Sequence, residues 1–260
     1  SPWLQQAQGG AKLPDSLDAR LINVLDANIA RAQRDSALAK LRKMQTSLGG
    51  FPWFPGGPPS PYMKLYQMHS LAKASEFQVD VPKEVVTRSW NYLASHFRDE
   101  YVGCLDKENC GWEFLAFLNY VASSYPDASW TGDALTMDER KRILDYTFRH
   151  WKQMAPLSKG QLALTLRRMG RAADAKLVWD SVMDSAKTTA DEGTFWAPED
   201  RSWLWYRDTI ESHAFALRVL MEMDPGNRKK DGLVQWLLLN KKMGQWKSTR
   251  ATAEVIYSLI

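Results

Sequence analysis

Apolar residues recur at three- and four-residue spacing along nearly the whole chain, the signature of amphipathic helices. Ser16 to Ile29 places Leu17, Leu21, Leu25 and Ile29 on one face, and Asp35 to Met44 does the same with Leu38, Leu41 and Met44. Gly49-Gly50 stops that pattern, and Phe51-Pro52-Trp53-Phe54-Pro55-Gly56-Gly57-Pro58-Pro59 reads as a rigid aromatic turn. Ser60-Pro61 supplies an N-cap and a first helical residue for a helix over Tyr62 to Phe77. A further helix is predicted from Pro82 to about Asp99, carrying Val86, Trp90, Leu93 and Phe97 on one face.

The second half continues in kind. Helices are predicted over Glu113 to Ser124, Asp133 to Met154, Ser158 to Met169 and Arg171 to Ala186, the last two forming a tight hairpin about Gly170. Gly193-Thr194-Phe195-Trp196-Ala197-Pro198 and Trp203-Leu204-Trp205-Tyr206 make the longest non-helical region, with room for a short hairpin. The end of the chain organises the rest. A helix with Ile210, Ala214, Leu217 and Met221 runs to the break Pro225-Gly226-Asn227, and a second carries Leu233, Val234, Leu237 and Leu238. The hinge Gly244-Gln245-Trp246-Lys247-Ser248-Thr249 then leads to a third, with Ala251, Val255, Ile256 and Leu259. In such a hinge the glycine ends one helix in the left-handed conformation, the tryptophan plugs the gap, and Ser248 or Thr249 caps the next helix.

The count is on the order of eleven helices with almost no strand, an all-α protein. Junctions of the hinge type recur at Gly50-Phe51, Gly111-Trp112, Gly193-Thr194-Phe195 and Gly244-Gln245-Trp246, at uneven intervals of one or two helical hairpins. Leu162 to Val182 alone would pass for a tetratricopeptide repeat, but its period of roughly 34 residues does not continue. The expectation is a single α/α toroid over 1–260, a ring of helical hairpins, complete or incomplete, with aromatic-glycine turns at the rim. Gly50, Phe51, Trp53, Gly244, Trp246, Ser248 and Thr249 are its structural turn residues. Truncating Trp53 or Trp246 is then expected to cost about 3–5 kcal/mol through cavity formation.

Composition narrows the classes. The chain has 260 residues, 45% of them hydrophobic, ample for a core. Its net charge of +4 is spread along the chain with no long basic block, which argues against nucleic acid. Twelve tryptophans either wedge a large helical core or line a groove for sugar or peptide. No apolar run approaches the roughly 18 residues of a spanning helix, so no membrane contact is expected of this segment. The opening Ser1-Pro2-Trp3-Leu4 lacks an initiator Met and a signal peptide, as expected of a piece cut from something longer. Cys104 and Cys110 either close a small disulfide loop, suited to an exported protein, or remain two thiols.

The turn from Gly49 to Gly57 followed by Ser60-Pro61-Tyr62 resembles the turn and helix start in the thioester domain of bacterial α2-macroglobulins. Four more segments are similar to that domain in the same order. They are Gly160-Gln161-Leu162-Ala163-Leu164 through Gly170 with Gly193-Thr194-Phe195-Trp196, then Ile210-Glu211-Ser212-His213-Ala214-Phe215-Ala216-Leu217, then Leu233-Val234-Gln235-Trp236-Leu237-Leu238, and Trp246-Lys247-Ser248-Thr249-Arg250-Ala251-Thr252-Ala253. Pro2-Trp3-Leu4 is similar to large Bacteroidetes-like members.

The resemblance implies a part of a protease trap in the periplasm or cell envelope, exported and in some cases a lipoprotein. Its partners would be other domains of the parent chain and the trapped proteases, with no cofactor and no turnover. In many members a Cys–Gln thioester acylates a nucleophile on the attacker. The supplying motif, Cys-x-Glu-Gln, is missing from this sequence. Cys110-Gly111-Trp112-Glu113-Phe114 places its acid one position late and has Phe114 where an amide is needed, and Cys104-Leu105-Asp106-Lys107 is no closer. Either the motif lies upstream of Ser1 or the parent lacks it.

Other chemistry is thin. His69, His96, His150 and His213 form no metal-binding spacing, and neither GxSxG nor a P-loop is present. His213 reads as a helix-face histidine with an ordinary hydrogen bond. Asp191-Glu192 and Glu199-Asp200 flank the Trp-rich region, and Arg201 and Arg207 stand beside Trp203 and Trp205. A carbohydrate-active toroid, a glycosidase or polysaccharide lyase, is the alternative reading, and it requires two carboxylates about 5 to 10 Å apart in an open Trp-lined cleft. A peptide-binding scaffold is a third, requiring a concave groove with exposed aromatics.

Overall fold

A computed structural model describes residues 27–54, 56–196, 208–241 and 246–260. Leu17, Leu21, Leu25, Pro2-Trp3-Leu4, Glu199-Asp200, Arg201, Trp203 to Arg207, Gly244 and Gln245 lie outside the described residues. Among the described residues the fold is all-α, with one small hairpin. The helices are α1 (Ala27–Met44), α2 (Pro61–Glu76), α3 (Lys83–Glu100), α4 (Val102–Asp106), α5 (Trp112–Ser123), α6 (Ala128–Thr131), α7 (Met137–Arg149), α8 (Pro156–Arg168), α9 (Ala172–Met183), α10 (Thr209–Met223), α11 (Lys229–Leu239) and α12 (Thr249–Leu259). Strands β1 (Lys187–Thr189) and β2 (Gly193–Phe195) pair antiparallel, Thr188 opposite Thr194.

Local chemistry fixes the helix starts. Ser60 accepts from the Met63 N–H with Pro61 as first helical residue, and Ser248 accepts from Ala251 N–H. At α7 Thr136 and Glu139 form a reciprocal capping box, so this helix begins at Met137 and not at Asp133. It ends at Arg149, and a 3₁₀ turn over Trp151–Gln153 completes the stretch predicted as one helix. The helix over Ala27–Met44 starts earlier than predicted and takes in Ile29, and none of its side chains is buried.

Helices α2, α5, α8, α10 and α12 pack each against the next, while α3, α7, α9 and α11 pack against members of that series from its flank. Buried apolar side chains form one cluster running from Phe51 through Trp90, Tyr120, Leu164 and Leu220 to Val255. Most tryptophans belong to this packing: Trp90, Trp179, Trp196 and Trp246 are buried, and Trp112, Trp130, Trp151 and Trp236 pack against the cluster. The wedge reading holds for these eight.

The turns need two corrections. The left-handed residue before the aromatic turn is Gly49 (φ 88°), not Gly50, and a Cβ there would stand 2.2 Å from the Arg88 carbonyl oxygen. Gly50 is required by close approach instead, since a Cβ would meet Pro59 at 2.5 Å. Phe51 is the buried wedge, 1% exposed, whereas Trp53 is 52% exposed and plugs no gap. Trp246 does fill its junction: it is buried, and its Nε1–H donates to the Leu237 carbonyl at 2.8 Å, satisfying an orphan acceptor near the end of α11. Thr249 opens α12 behind the Ser248 cap.

Candidate functional site

The series α2, α5, α8, α10 and α12 turns the N-terminal parts of all five helices toward one open cleft of about 610 Å³. Aromatic walls come from Tyr62, Tyr66, Phe114, Phe117, Tyr120 and Phe215, and Trp53 from the aromatic turn lies at the lining. Five helix starts bring positive ends of backbone dipoles together, an environment that favours carboxylates. Three acids meet it: Glu113, Glu211 and Glu254.

Arg250 on α12 is the hub. It makes a 2.6 Å ion pair with Glu211 on α10, donates to the Tyr62 hydroxyl at 3.1 Å, and lies 4.6 Å from the Tyr66 ring centre. One turn on, Glu254 accepts from His69 Nε2 on α2 at 3.0 Å, with both side chains less than one-tenth exposed. His69 packs edge-on to Phe117 and tilted on Tyr120. These bonds tie the last helix of the series to the first.

The two acids are pushed apart electrostatically. Burial lifts the Glu211 carboxyl to about 7, with the neighbouring Glu254 and Asp208 adding to the rise and Arg250 only partly opposing it. Burial acts on Glu254 too, but His69, Arg218 and Arg250 outweigh it and hold that carboxyl below its ordinary value. Burial also raises Tyr66, so its phenol stays protonated. The cleft therefore holds one acid that stays ionised and one poised near neutrality. Each is clamped to a cation or imidazole on another helix.

Apart from His69 and Glu113, the described residues weighed for chemistry from the sequence do not line this cleft. Asp191 and Glu192 are exposed at the β1–β2 turn, where the Glu192 N–H donates to Thr189 Oγ1. His213 is 2% exposed, its ring stacked 3.7 Å from that of Trp236. His150 stacks on Trp112, and His96 lies edge-on to Phe114. No three metal-binding side chains come together among the described residues. Cys104 and Cys110 are joined in a disulfide that closes the loop between α4 and α5, with the Tyr146 hydroxyl donating to the Cys110 carbonyl at 2.6 Å. Cys110 is thus no free nucleophile. Among the described residues the cleft walls are Tyr and Phe, and Trp53 alone of the described tryptophans lines it.

Glu211 and Glu254 were not picked out as a pair from the sequence. Each sits on the apolar face of its helix, Glu211 between Ile210 and Ala214 and Glu254 beside Ala251 and Val255. An acid in that position is a signal of a buried partner.

The class defined so far is an all-α assembly whose helix starts surround an aromatic, acid-lined cleft. Comparison with known proteins points one way. The chain is 25% identical over 246 residues to an α2-macroglobulin homolog of Nostoc sp., a match covering 89% of the chain and 12% of that relative. Salmonella α2-macroglobulin, solved after reaction with methylamine, superposes with a TM-score of 0.62 at 20% identity, over 89% of this chain and 14% of that one. Native Escherichia coli α2-macroglobulin, spanning domain MG7 to the C-terminus, gives 0.61 at 20% identity over 88% of this chain and 34% of that one. No protein-family model matches the chain. The resemblance read from the turn and hinge motifs is thereby borne out, the relatives being bacterial α2-macroglobulins matched across most of the chain. They do not bear on the narrower likeness to Bacteroidetes-type members. The chain spans only about an eighth of the curated relative, 12% of its length.

Proposed function

We propose that this chain is a helical, thioester-type domain of a bacterial α2-macroglobulin and works, without turnover, as part of a protease-trapping protein. The observation that carries the reading is the extent of the likeness, 89% of this chain against 12% of a much longer α2-macroglobulin homolog. A module of that proportion works through its neighbours. Its partners are the other domains of its parent, and the proteases are engaged by the parent as a whole. The series α2, α5, α8, α10, α12 is read as the inner helices of an α/α toroid, with α3, α7, α9 and α11 outside. The Cys104–Cys110 disulfide supports an exported, periplasmic or envelope location.

With no Cys-x-Glu-Gln in this sequence and Cys110 held by Cys104, an acylating thioester in the parent would have to come from residues outside this sequence. Methylamine treatment of the intact parent separates two forms of the proposal. A parent that gains one methylamine adduct and one free thiol is a covalent trap, and one that gains neither but carries an export signal is a non-covalent trap. A parent reading frame that starts near Ser1 with no other domains would remove the proposal.

A further inference from the structure

A second groove, of about 710 Å³, opens away from the acid-lined cleft. It runs between the end of α5, the Tyr125–Asp127 loop, α6, the first turns of α7 and the α8–α9 turn. Four cations line it: Arg140, Lys141, Arg168 and Arg171. Two of them are paired with carboxylates. Arg168 binds Glu222 through Nε and a terminal nitrogen at 2.9 and 2.7 Å, and donates to Ser123 and Ser124 at 3.1 and 2.9 Å. Arg171 pairs with Asp174 and Asp145, each at 2.7 Å, and lies 4.6 Å from the Phe148 ring centre.

Arg140 is different. Its guanidinium is half-buried, yet no carboxylate pairs with it among the described residues. Instead the buried Asn119 holds it from both sides, accepting from Arg140 Nε at 3.1 Å and donating its own amide to the Arg140 carbonyl at 2.9 Å. A guanidinium carries five N–H donors, and this clamp uses one, leaving the planar terminal fork uncommitted. Burial without a counter-charge pushes the group below its ordinary range. A cation placed this way is costly unless an anion completes it. The rest of the groove selects what brings the anion. Its lining mixes apolar side chains, Ala122, Tyr125, Met137, Leu144 and Met169, with Lys141 as a second positive charge and two acids already committed, Asp145 to Arg171 and Asp127 to the Ser129 N–H. The volume is in the range of sites that enclose a guest of several side chains.

We propose that this groove docks an acidic peptide segment, seating a side-chain carboxylate two-pronged on the Arg140 fork with apolar neighbours along Leu144, Met137 and Met169. The site is independent of the protease-trap reading and stands or falls separately from it. Planar two-point recognition of a carboxylate is what an arginine held at Nε provides and a lysine does not.

Calorimetric titration of the 260-residue chain tests it with three probes at matched ionic strength: a capped peptide Ala-Leu-Glu-Leu-Ala, the same peptide with Gln for Glu, and inorganic phosphate. The Glu peptide binds, the Gln peptide at least about tenfold more weakly, as expected for loss of one charge-assisted pair. Arg140→Gln loses about the same factor, Arg140→Lys recovers part of it, and the distant surface change Lys176→Gln leaves it alone. Should Arg140→Gln not fold, Arg140→Lys carries the comparison. Equal binding of the Glu and Gln peptides, no binding of the Glu peptide, or unchanged affinity in Arg140→Lys overturns the proposal. Phosphate binding as tightly as the Glu peptide overturns the peptide assignment in favour of a bare anion site.

Discussion

His213 Nε2 accepts the backbone N–H of Trp196 at 3.1 Å. The other ring nitrogen, Nδ1, lies 2.7 Å from the Thr209 carbonyl, which can only accept, so the bound tautomer is neutral with its proton on Nδ1. A protonated ring would lose the Trp196 bond, and burial lowers the imidazole from 6.5 to about 4. Because the unfolded chain takes up this proton first, the stability that His213 contributes is whole above 6.5 and is lost as pH falls toward 4, by about 3 kcal/mol in all. His213→Phe keeps the stack on Trp236, orphans the Trp196 N–H at about 1–3 kcal/mol, and abolishes this acid-side loss. Urea midpoints measured across that pH range check both effects.

Glu211 has the opposite slope over nearly the same range. Its folded value of about 7 stands above the 4.5 of the free side chain, so the folded state holds the proton more tightly. The stability it adds is present below 4.5 and is lost as pH rises through 7. The two groups offset each other, and the unaltered chain is expected to show a nearly flat profile between them. Glu211→Gln exposes the His213 fall on acidification, and His213→Phe exposes the Glu211 fall on alkalinisation. Profiles of the two variants with the same sign of slope would contradict these assignments.

Lys64 is buried beneath the aromatic turn, its Nζ 3.7 Å from the Phe51 ring centre and without a hydrogen-bond partner among the described residues. Burial, with Arg88 adding repulsion, lowers it from 10.5 to about 6, so the amine is neutral at pH 7 in the folded chain and charged in the unfolded one. Stability therefore climbs as pH rises from about 6 toward 10.5. Between about pH 7 and about pH 9 the gain is on the order of 3 kcal/mol. Lys64→Met should stabilise the chain at neutral pH and remove that climb, as thermal melts at the two pH values will show.

The Cys104–Cys110 bridge fastens α4 to the start of α5, whose Glu113 and Phe114 line the cleft. A loop this short limits the loss on reduction to about 2 kcal/mol. Denaturant midpoints with and without a dithiol reductant, in the wild type and in Cys104→Ser/Cys110→Ser, should agree on that value.

The two turn tryptophans separate cleanly. Trp246→Ala removes a buried ring and the cap on the Leu237 carbonyl, at a cost of about 3–5 kcal/mol. Trp53→Ala, at a half-exposed ring, is expected to cost under about 1 kcal/mol. Equal losses in the two variants would contradict the packing described for both.

Local signals were the legible ones. Ser60-Pro61 and Ser248 mark helix starts that the structure keeps, because a cap is decided within one turn of chain. The tight α8–α9 turn at Gly170, with φ of 85°, was equally readable. The short α4 was missed, since five residues carry no periodicity, and β1 begins before the region read as hairpin. The cleft was not legible at all. It joins His69 to Glu254 across 185 positions and Arg250 to Tyr62 across 188, separations over which no spacing rule applies. The same holds for Arg140, whose state depends on Asn119 on a different helix.

The protease-trap reading is tested most directly by challenging the intact parent protein with trypsin. Trypsin is expected to comigrate with the parent in gel filtration, still to cleave a small chromogenic peptide, and to be shielded from a protein-sized inhibitor. Trypsin that elutes alone and stays fully open to the inhibitor would contradict it.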